Sequence, residues 1–290
     1  MQANVDTHKV LEINRRFHDE VEAAHYDERM GVSHSPEAVR KTIDELERVL
    51  GDALPRGGWV ADVGSGTGNI AIKLALDGRF DRVTAVDISS KSLEKLRDTA
   101  DSLHVSVETV VSEMRPLPFE DDSLDLLVGC AFLHHMPDPE EFMADVARVL
   151  KPGARFVIIG EPTHLGATVT NVVKFPLVAV NRLRRLFVND NLFRWEHDQI
   201  DVHTFTRADV HNLFERRFEK TRVCCEGFLE PVVDQAILAP LRRFLPETGL
   251  AGRVFGSIQS SCSAVDRALL NHALPSNFKV SLKVSGSCDA

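Results

Sequence analysis

Between about residues 56 and 161, short apolar runs alternate with stretches whose apolar residues recur at steps of three and four. This is the pattern of an α/β fold, a doubly wound, mostly parallel Rossmann-like sheet. The runs predict strands over Trp59–Val63, Arg82–Val86, Val105–Val111, Leu124–Ala131 and Arg155–Gly160. Helix starts are legible too. Ser35 can cap a helix that runs to about Leu50, with Pro36 in the first turn, where its missing N–H costs nothing. Asp138-Pro139-Glu140-Glu141 opens another before Phe142–Leu150, and Gly153 follows as a stop signal.

Past Glu161 the alternation breaks. Residues 163–200 hold an apolar stretch interrupted by Pro176, which predicts an irregular helical insertion. Thr206-Arg207-Ala208-Asp209 is a capping box for a helix to about Phe218, followed by a short strand near Arg222–Cys225. Val254, Ile258, Cys262, Val265 and Leu269 predict a second helical insertion over 249–270, and alternation in Lys279–Val284 predicts a final edge strand. The expected organisation is a helical cap segment over 1–55, a ligand-binding core over 56–162, and the rest of the fold with lid insertions over 163–290.

Composition narrows the functional classes. Hydrophobic residues make up 43% and charged residues 27%, as in a globular protein with a proper core. Asp and Glu outnumber Lys and Arg, 43 to 34, and this acidity disfavours nucleic acid as a partner. The five cysteines show neither C-x-x-C pairs nor zinc-finger spacing, so a disulfide framework or a metal site is not expected. The first residues carry scattered charges and no apolar core, so no signal peptide is visible. No uncharged stretch approaches the ~18 residues of a membrane span. The expectation is a cytoplasmic protein, with no stable membrane insertion and a homodimer left open.

The chemistry concentrates in Asp62-Val63-Gly64-Ser65-Gly66-Thr67-Gly68-Asn69, at the end of the first strand. Glycines at alternate positions let bare backbone approach a ligand. A dinucleotide site would use G-x-G-x-x-G, but Asn69 stands where the third glycine belongs. The dense G-x-G-x-G behind Asp62 instead resembles the first motif of the class I S-adenosylmethionine-dependent methyltransferases; alone, it could also be a glycine-rich turn of another α/β protein.

Three further segments follow in the order of that family. Val83-Thr84-Ala85-Val86-Asp87 ends a second strand in a carboxylate, which can accept both ribose hydroxyls of a nucleoside or simply cap the helix over Ser89–Leu103. Ser112-Glu113-Met114, before Leu117-Pro118-Phe119, is similar to the stretch whose acidic residue takes the adenine amino group, although Asp is commoner where Glu113 stands. Leu133-His134-His135-Met136-Pro137-Asp138 ends the fourth strand, and Leu150-Lys151-Pro152-Gly153 precedes the fifth. His25-Tyr26-Asp27 is similar to an aromatic-Asp segment that closes over the methionine end of the cofactor; Tyr26 could equally be a packed aromatic.

The resemblance implies a seven-stranded methyltransferase sheet with S-adenosyl-L-methionine as cofactor, held by Tyr26, Asp62, Gly64, Ser65, Gly66, Gly68, Asp87, Ile88, Ser112, Glu113, Met114 and Cys130. Methyl transfer from a sulfonium is an in-line displacement, in which alignment and water exclusion matter most and a general base helps only a hydroxyl or carbon acid. His134 and His135 are the candidate bases. Neighbours in a strand point to opposite sides, so at most one should face the acceptor; both could instead fix the following loop. Glu161, ending the fifth strand, could orient a histidine or act itself, while His203 is a weaker candidate for lining the pocket.

No Asn/Asp-Pro-Pro-aromatic tetrapeptide follows the fourth strand, which argues against planar amines as acceptors. Phe175, Leu177, Val178, Val180, Leu183, Leu186 and Phe187 could line a pocket for a hydrophobic small molecule, or only pack the lid. Arg182, Arg184 and Arg185 could touch an anionic lipid surface. The alternatives to a methyltransferase acting on oxygen or carbon are a non-catalytic S-adenosylmethionine-binding sensor or partner subunit and, more distantly, a nicotinamide-dependent oxidoreductase.

Overall fold

The computed structural model describes residues 7–164, 203–215, 217–227, 229–238, 249–266 and 281–288, with single positions at 166, 168, 241 and 268. The apolar run and arginines of residues 175–187 lie outside the described residues. Seven strands form one sheet: β1 (Trp59–Val63), β2 (Arg82–Asp87), β3 (Glu108–Val111), β4 (Leu124–Cys130), β5 (Leu150–Pro162), β6 (Glu219–Glu226) and β7 (Ser281–Ser287). Their order is β3-β2-β1-β4-β5-β7-β6. The first five are parallel, and β7 is antiparallel to both of its neighbours.

Among the described residues the α-helices are α1 (Thr7–Phe17), α2 (Ala23–Met30), α3 (Pro36–Leu50), α4 (Ala71–Asp77), α5 (Ser90–Ser102), α6 (Pro139–Val149), α7 (Arg207–Glu215), α8 (Leu229–Val233) and α9 (Gly249–Val265). Strands β1, β2, β4 and β5 each serve two cores through the period-two alternation of their side chains. Val60, Val83, Ala85, Leu126, Val128 and Val157 pack under α3, α4 and α5. Their neighbours Ala61, Val63, Val86, Leu127, Phe156 and Ile158 pack on the other face with Phe142 and Val146 of α6 and Phe214 of α7. The helix starts form as the sequence predicts: Ser35 Oγ accepts from the Ala38 N–H, and Asp138 Oδ1 accepts from the Glu140 and Glu141 N–H groups.

Three differences from the predicted elements matter most. The third strand is shorter, because residues 105–107 lie outside the ladder with β2. The fifth is longer, beginning at Leu150 directly after α6. The predicted edge strand at 279–284 is β7, which lies between β5 and β6 and is no edge. Alternation misleads there because both of its faces are covered. Val284 is buried in one core, while Ser285 is buried on the other face, its hydroxyl donating to the Val49 carbonyl of α3.

Asp138 satisfies two otherwise unpaired donors at the start of α6. Asp138→Ala should lower unfolding free energy by about 1 kcal/mol, measured by urea denaturation, with no change in the slope of the transition.

Candidate active site

The chain winds outward from β1 to β2 and β3, then returns to β4 on the other side of β1. That switch leaves a crevice beyond the strand carboxyl ends, the usual ligand position in such sheets. A cleft of about 900 Å³, counting its open mouth, occupies it. Asp62, Gly64, Ser65 and Gly66 after β1, Asp87 and Ile88 after β2, Glu113 and Met114 after β3, and Cys130 at the end of β4 all line it, as do Tyr26 and His135.

Parallel pairing sets Val63 beside Val86, which brings the glycine-rich turn level with the tip of β2. The Ser65 N–H donates to the Val86 carbonyl. Asp87 then holds two loops at once: Oδ2 accepts from the Gly66 N–H at 2.8 Å and Oδ1 from the Ser89 N–H at 2.8 Å. A carboxylate offers about four acceptor positions, so Asp87 keeps capacity for ribose hydroxyls. The helix cap is Ser89, whose Oγ accepts from the Ser92 N–H.

The three glycines have different tasks. A Cβ at Gly66 (φ +51°) would meet nothing within 4 Å, so this residue faces open space that a ligand can fill. A Cβ at Gly64 would collide with Phe132, and one at Gly68 would lie 2.6 Å from Leu96 Cγ. Gly68 therefore serves packing and does not line the cleft. Ser112 does not line it either; its Oγ accepts from the Met114 N–H, holding Met114 at a left-handed φ of +57° beside Glu113.

Asp62 is 1% exposed and accepts from the Ala71 N–H at the start of α4. Burial pushes its pKa up to about 8; the Ala71 hydrogen bond opposes the shift and the charge of Asp87 adds to it. Burial likewise pushes the Cys130 thiol up to about 12, so it is no nucleophile near neutral pH.

His134 and His135 do not sit in the strand. The chain leaves β4 through Ala131, a non-glycine residue at φ +52°, and they follow in a single tight turn, Leu133–His135. Turn geometry, in place of strand alternation, separates them: His135 lines the cleft, whereas His134 is buried and does not. Glu161, wholly buried, anchors this turn. Its Oε1 accepts from the Phe132 and Leu133 N–H groups, and its Oε2 accepts from the N–H and the ring Nδ1 of His134. It orients a histidine from the interior and does not line the cleft, so it cannot reach an acceptor directly. His203 fixes the same loop, its N–H donating to the His134 carbonyl.

The N-terminal wall is the larger surprise. Leu11 and Asn14 of α1, His18 and Glu22 of the wider turn joining α1 to α2, and Tyr26 of α2 all face the cleft. The His18 ring meets His135 edge-on at 5.5 Å, and Asn14 Nδ2 donates to the His135 carbonyl. Asp27 pins α2 to the glycine turn by accepting from Thr67 Oγ1, and pairs with Lys95 of α5. Only Tyr26 was predicted from sequence. The missed signal is the four-residue spacing of Asn14, His18, Glu22 and Tyr26, which keeps them on one helical face.

The residues present fit an adenosyl sulfonium: an open cradle at Gly66, a carboxylate beside it at Asp87, and a further acceptor at Glu113 near the apolar Met114. Two substitutions separate cradle from packing. Gly66→Ala should cost about 1 kcal/mol of backbone strain but more than tenfold in S-adenosylmethionine affinity by calorimetry, while Gly68→Ala should destabilise the fold by about 2–4 kcal/mol. For Asp62, the folded chain retains a proton that the unfolded chain loses near pH 4, so stability falls as pH rises from about 4 to about 8. Asp62→Asn removes that slope, and its melting temperature should exceed the parent's by a margin that grows from pH 5 to pH 8.

Comparison with known proteins agrees with this geometry. Residues 61–158 match the family model of a methyltransferase domain. The chain is 30% identical over 224 residues to 27-O-demethylrifamycin SV methyltransferase of Amycolatopsis mediterranei, covering 74% of this chain and 81% of that protein. It is 35% identical over 125 residues to the ubiquinone/menaquinone biosynthesis C-methyltransferase UbiE of Brucella canis, covering 39% of this chain and 46% of that one. Among solved structures, the phosphoethanolamine N-methyltransferase 2 of Haemonchus contortus in complex with S-adenosyl-L-methionine superposes with a TM-score of 0.61 at 15% identity, covering 95% of this chain and 59% of that one. That likeness shows the fold. Together with the first relative, which spans most of both chains, it leads to one conclusion: the chain belongs to the class I S-adenosylmethionine-dependent methyltransferases and uses S-adenosyl-L-methionine as its cofactor.

Proposed function

We propose that this methyltransferase acts on an oxygen or carbon of a hydrophobic small molecule, held at the end of the cleft where His135 meets His18. The observation that carries this reading is the meeting of those two rings over the same cleft that Gly66 and Asp87 line. The relatives support the chemistry: one is named for methylating 27-O-demethylrifamycin SV, the other is a C-methyltransferase of quinone biosynthesis.

In this reading Asp87 and Ile88 hold the ribose, Glu113 and Met114 the adenine, and the turn Gly64–Gly66 with Asp62, Tyr26 and Cys130 the methionine end. Ser112 and Gly68 support those residues from behind. The cofactor supplies an activated methyl group on a sulfonium. The chain's own task is to align the acceptor and take its proton. We assign the acceptance of that proton to His135, which lines the cleft. Its N–H donates to the Phe132 carbonyl and its ring lies 3.9 Å from that of His134, which Glu161 locks in place. Phe132, Met136 and Leu11 bring apolar surface to the cleft and exclude water.

The division of labour along the chain is also a proposal: residues 1–55 cap the cleft, 56–162 hold the cofactor, and 163–290 shape the acceptor side. Among the described residues no helix is long and apolar enough to cross a membrane. A cytoplasmic location belongs to the same proposal. The exposed Leu250, Val254 and Ile258 of α9 support a homodimer.

Asp87→Ala should weaken binding of S-adenosylhomocysteine at least tenfold by calorimetry; unchanged affinity would contradict the ribose assignment. His135→Gln should keep that affinity yet cut transfer of tritiated methyl to fractionated metabolites, with 27-O-demethylrifamycin SV included in the panel, by about a hundredfold.

A further inference from the structure

We infer that Asn69, backed by Lys73 and joined by the Ser65 hydroxyl, recognises the α-carboxylate at the methionine end of the cofactor. The inference rests on the cleft being the cofactor site as proposed above. Strand order gives the cleft a direction: Glu113 follows β3, Asp87 follows β2, and the glycine turn follows β1. A nucleoside laid across β3 and β2 therefore sends its amino-acid tail past β1 towards β4. Asn69, where the glycine turn runs into α4, lines the cleft. Lys73, one helical turn further on, is within electrostatic reach of Cys130 at the end of β4. It is 7% exposed, and among the described residues its hydrogen bond goes to Asn69 Oδ1 at 2.7 Å.

That bond fixes what Asn69 can present. An ammonium donates and must meet the amide oxygen, so the group left for the cleft is the amide NH2, which donates twice. Ser65 adds a further donor. It is 8% exposed and lines the same cleft, and its Oγ is buried without a hydrogen-bond partner. Buried hydroxyls are seldom left so, which marks this one for a ligand. Charge then selects the ligand. Among the described residues that line the cleft there are four carboxylates, Glu22, Asp62, Asp87 and Glu113, and neither Lys nor Arg, so an entering anion needs a cation close behind the wall. His34, hydrogen-bonded to the Gly68 backbone, does not supply it, because burial and then the Lys73 charge hold its pKa below the ordinary value. The cation is Lys73, whose charge is passed to the cleft through the polarised amide of Asn69. Burial lowers the pKa of Lys73 as well, and an arriving carboxylate opposes that fall, so ligand and lysine stabilise each other's charge. Glu45, which also acts on Lys73, is itself paired with Lys283 at 2.6 Å.

Calorimetry on the full chain tests this with two probes, S-adenosylhomocysteine and its decarboxylated analogue, which differ only in the carboxylate. Asn69→Asp keeps an acceptor for Lys73 but removes both donors and sets a negative charge against the ligand. It should weaken S-adenosylhomocysteine by about tenfold or more and the decarboxylated analogue by less than about twofold. Unchanged binding of S-adenosylhomocysteine would overturn the inference, and so would equal losses for both probes, since they would give Asn69 a structural role only. If circular dichroism shows that variant unfolded, Lys73→Met decides by the same comparison: S-adenosylhomocysteine should weaken about fivefold and the analogue should not, and equal or absent losses would again overturn the inference. Failure of the underlying site reading looks different, because then Asp87→Ala would leave both probes bound as tightly as before.

Discussion

The site depends on one carboxylate that grips two loops. Parallel pairing of β1 with β2 brings Asp87 level with the glycine turn, and its two oxygens take the N–H groups of Gly66 and Ser89. The turn has to pass through left-handed backbone at Gly64, Gly66 and Gly68, which leaves donors that no ladder satisfies. Asp87 supplies an acceptor and so fixes where the bare backbone at Gly66 faces. The same group that is offered to a sugar is first a structural clamp, which is why a sequence alone cannot separate those two roles.

A second clamp acts on the far side of β1. Glu161 reaches from β5 into the turn after β4 and satisfies three consecutive backbone donors and one ring nitrogen. Burying a charge is costly without such complete partnership. The outcome is a turn whose two histidines differ in kind: His134 is held inside, and His135 is presented to the cleft. Asn14 and His18 meet that presented residue from the opposite wall.

Much of this was legible in the sequence. Strand positions, the caps at Ser35 and Asp138, and the order of glycine turn, second-strand carboxylate and post-strand histidines follow from local pattern. What stayed hidden depends on contacts between distant segments. Nothing in the glycine spacing says that Phe132 covers Gly64 while Leu96 fills the space over Gly68. The wall made by Asn14, His18 and Glu22 belongs to a helix whose polar residues look solvated until it is seen lying against the sheet. The position of β7 was hidden for the same reason: Ser285 is polar by type yet buried by its bond to Val49.

The antiparallel placement of β7 has a consequence for assembly during synthesis. The strand β6 pairs with β7 alone, and β7 alone joins β6 to the rest of the sheet. Strands β1 to β5 can pair as soon as they leave the ribosome, but β6 must wait, with its hydrogen-bonding edge bare, until roughly fifty further residues have been made. During that interval the nascent chain carries an unpaired ribbon beside a nearly finished nucleotide-binding half, and this is the stage at which a chaperone would have most to protect.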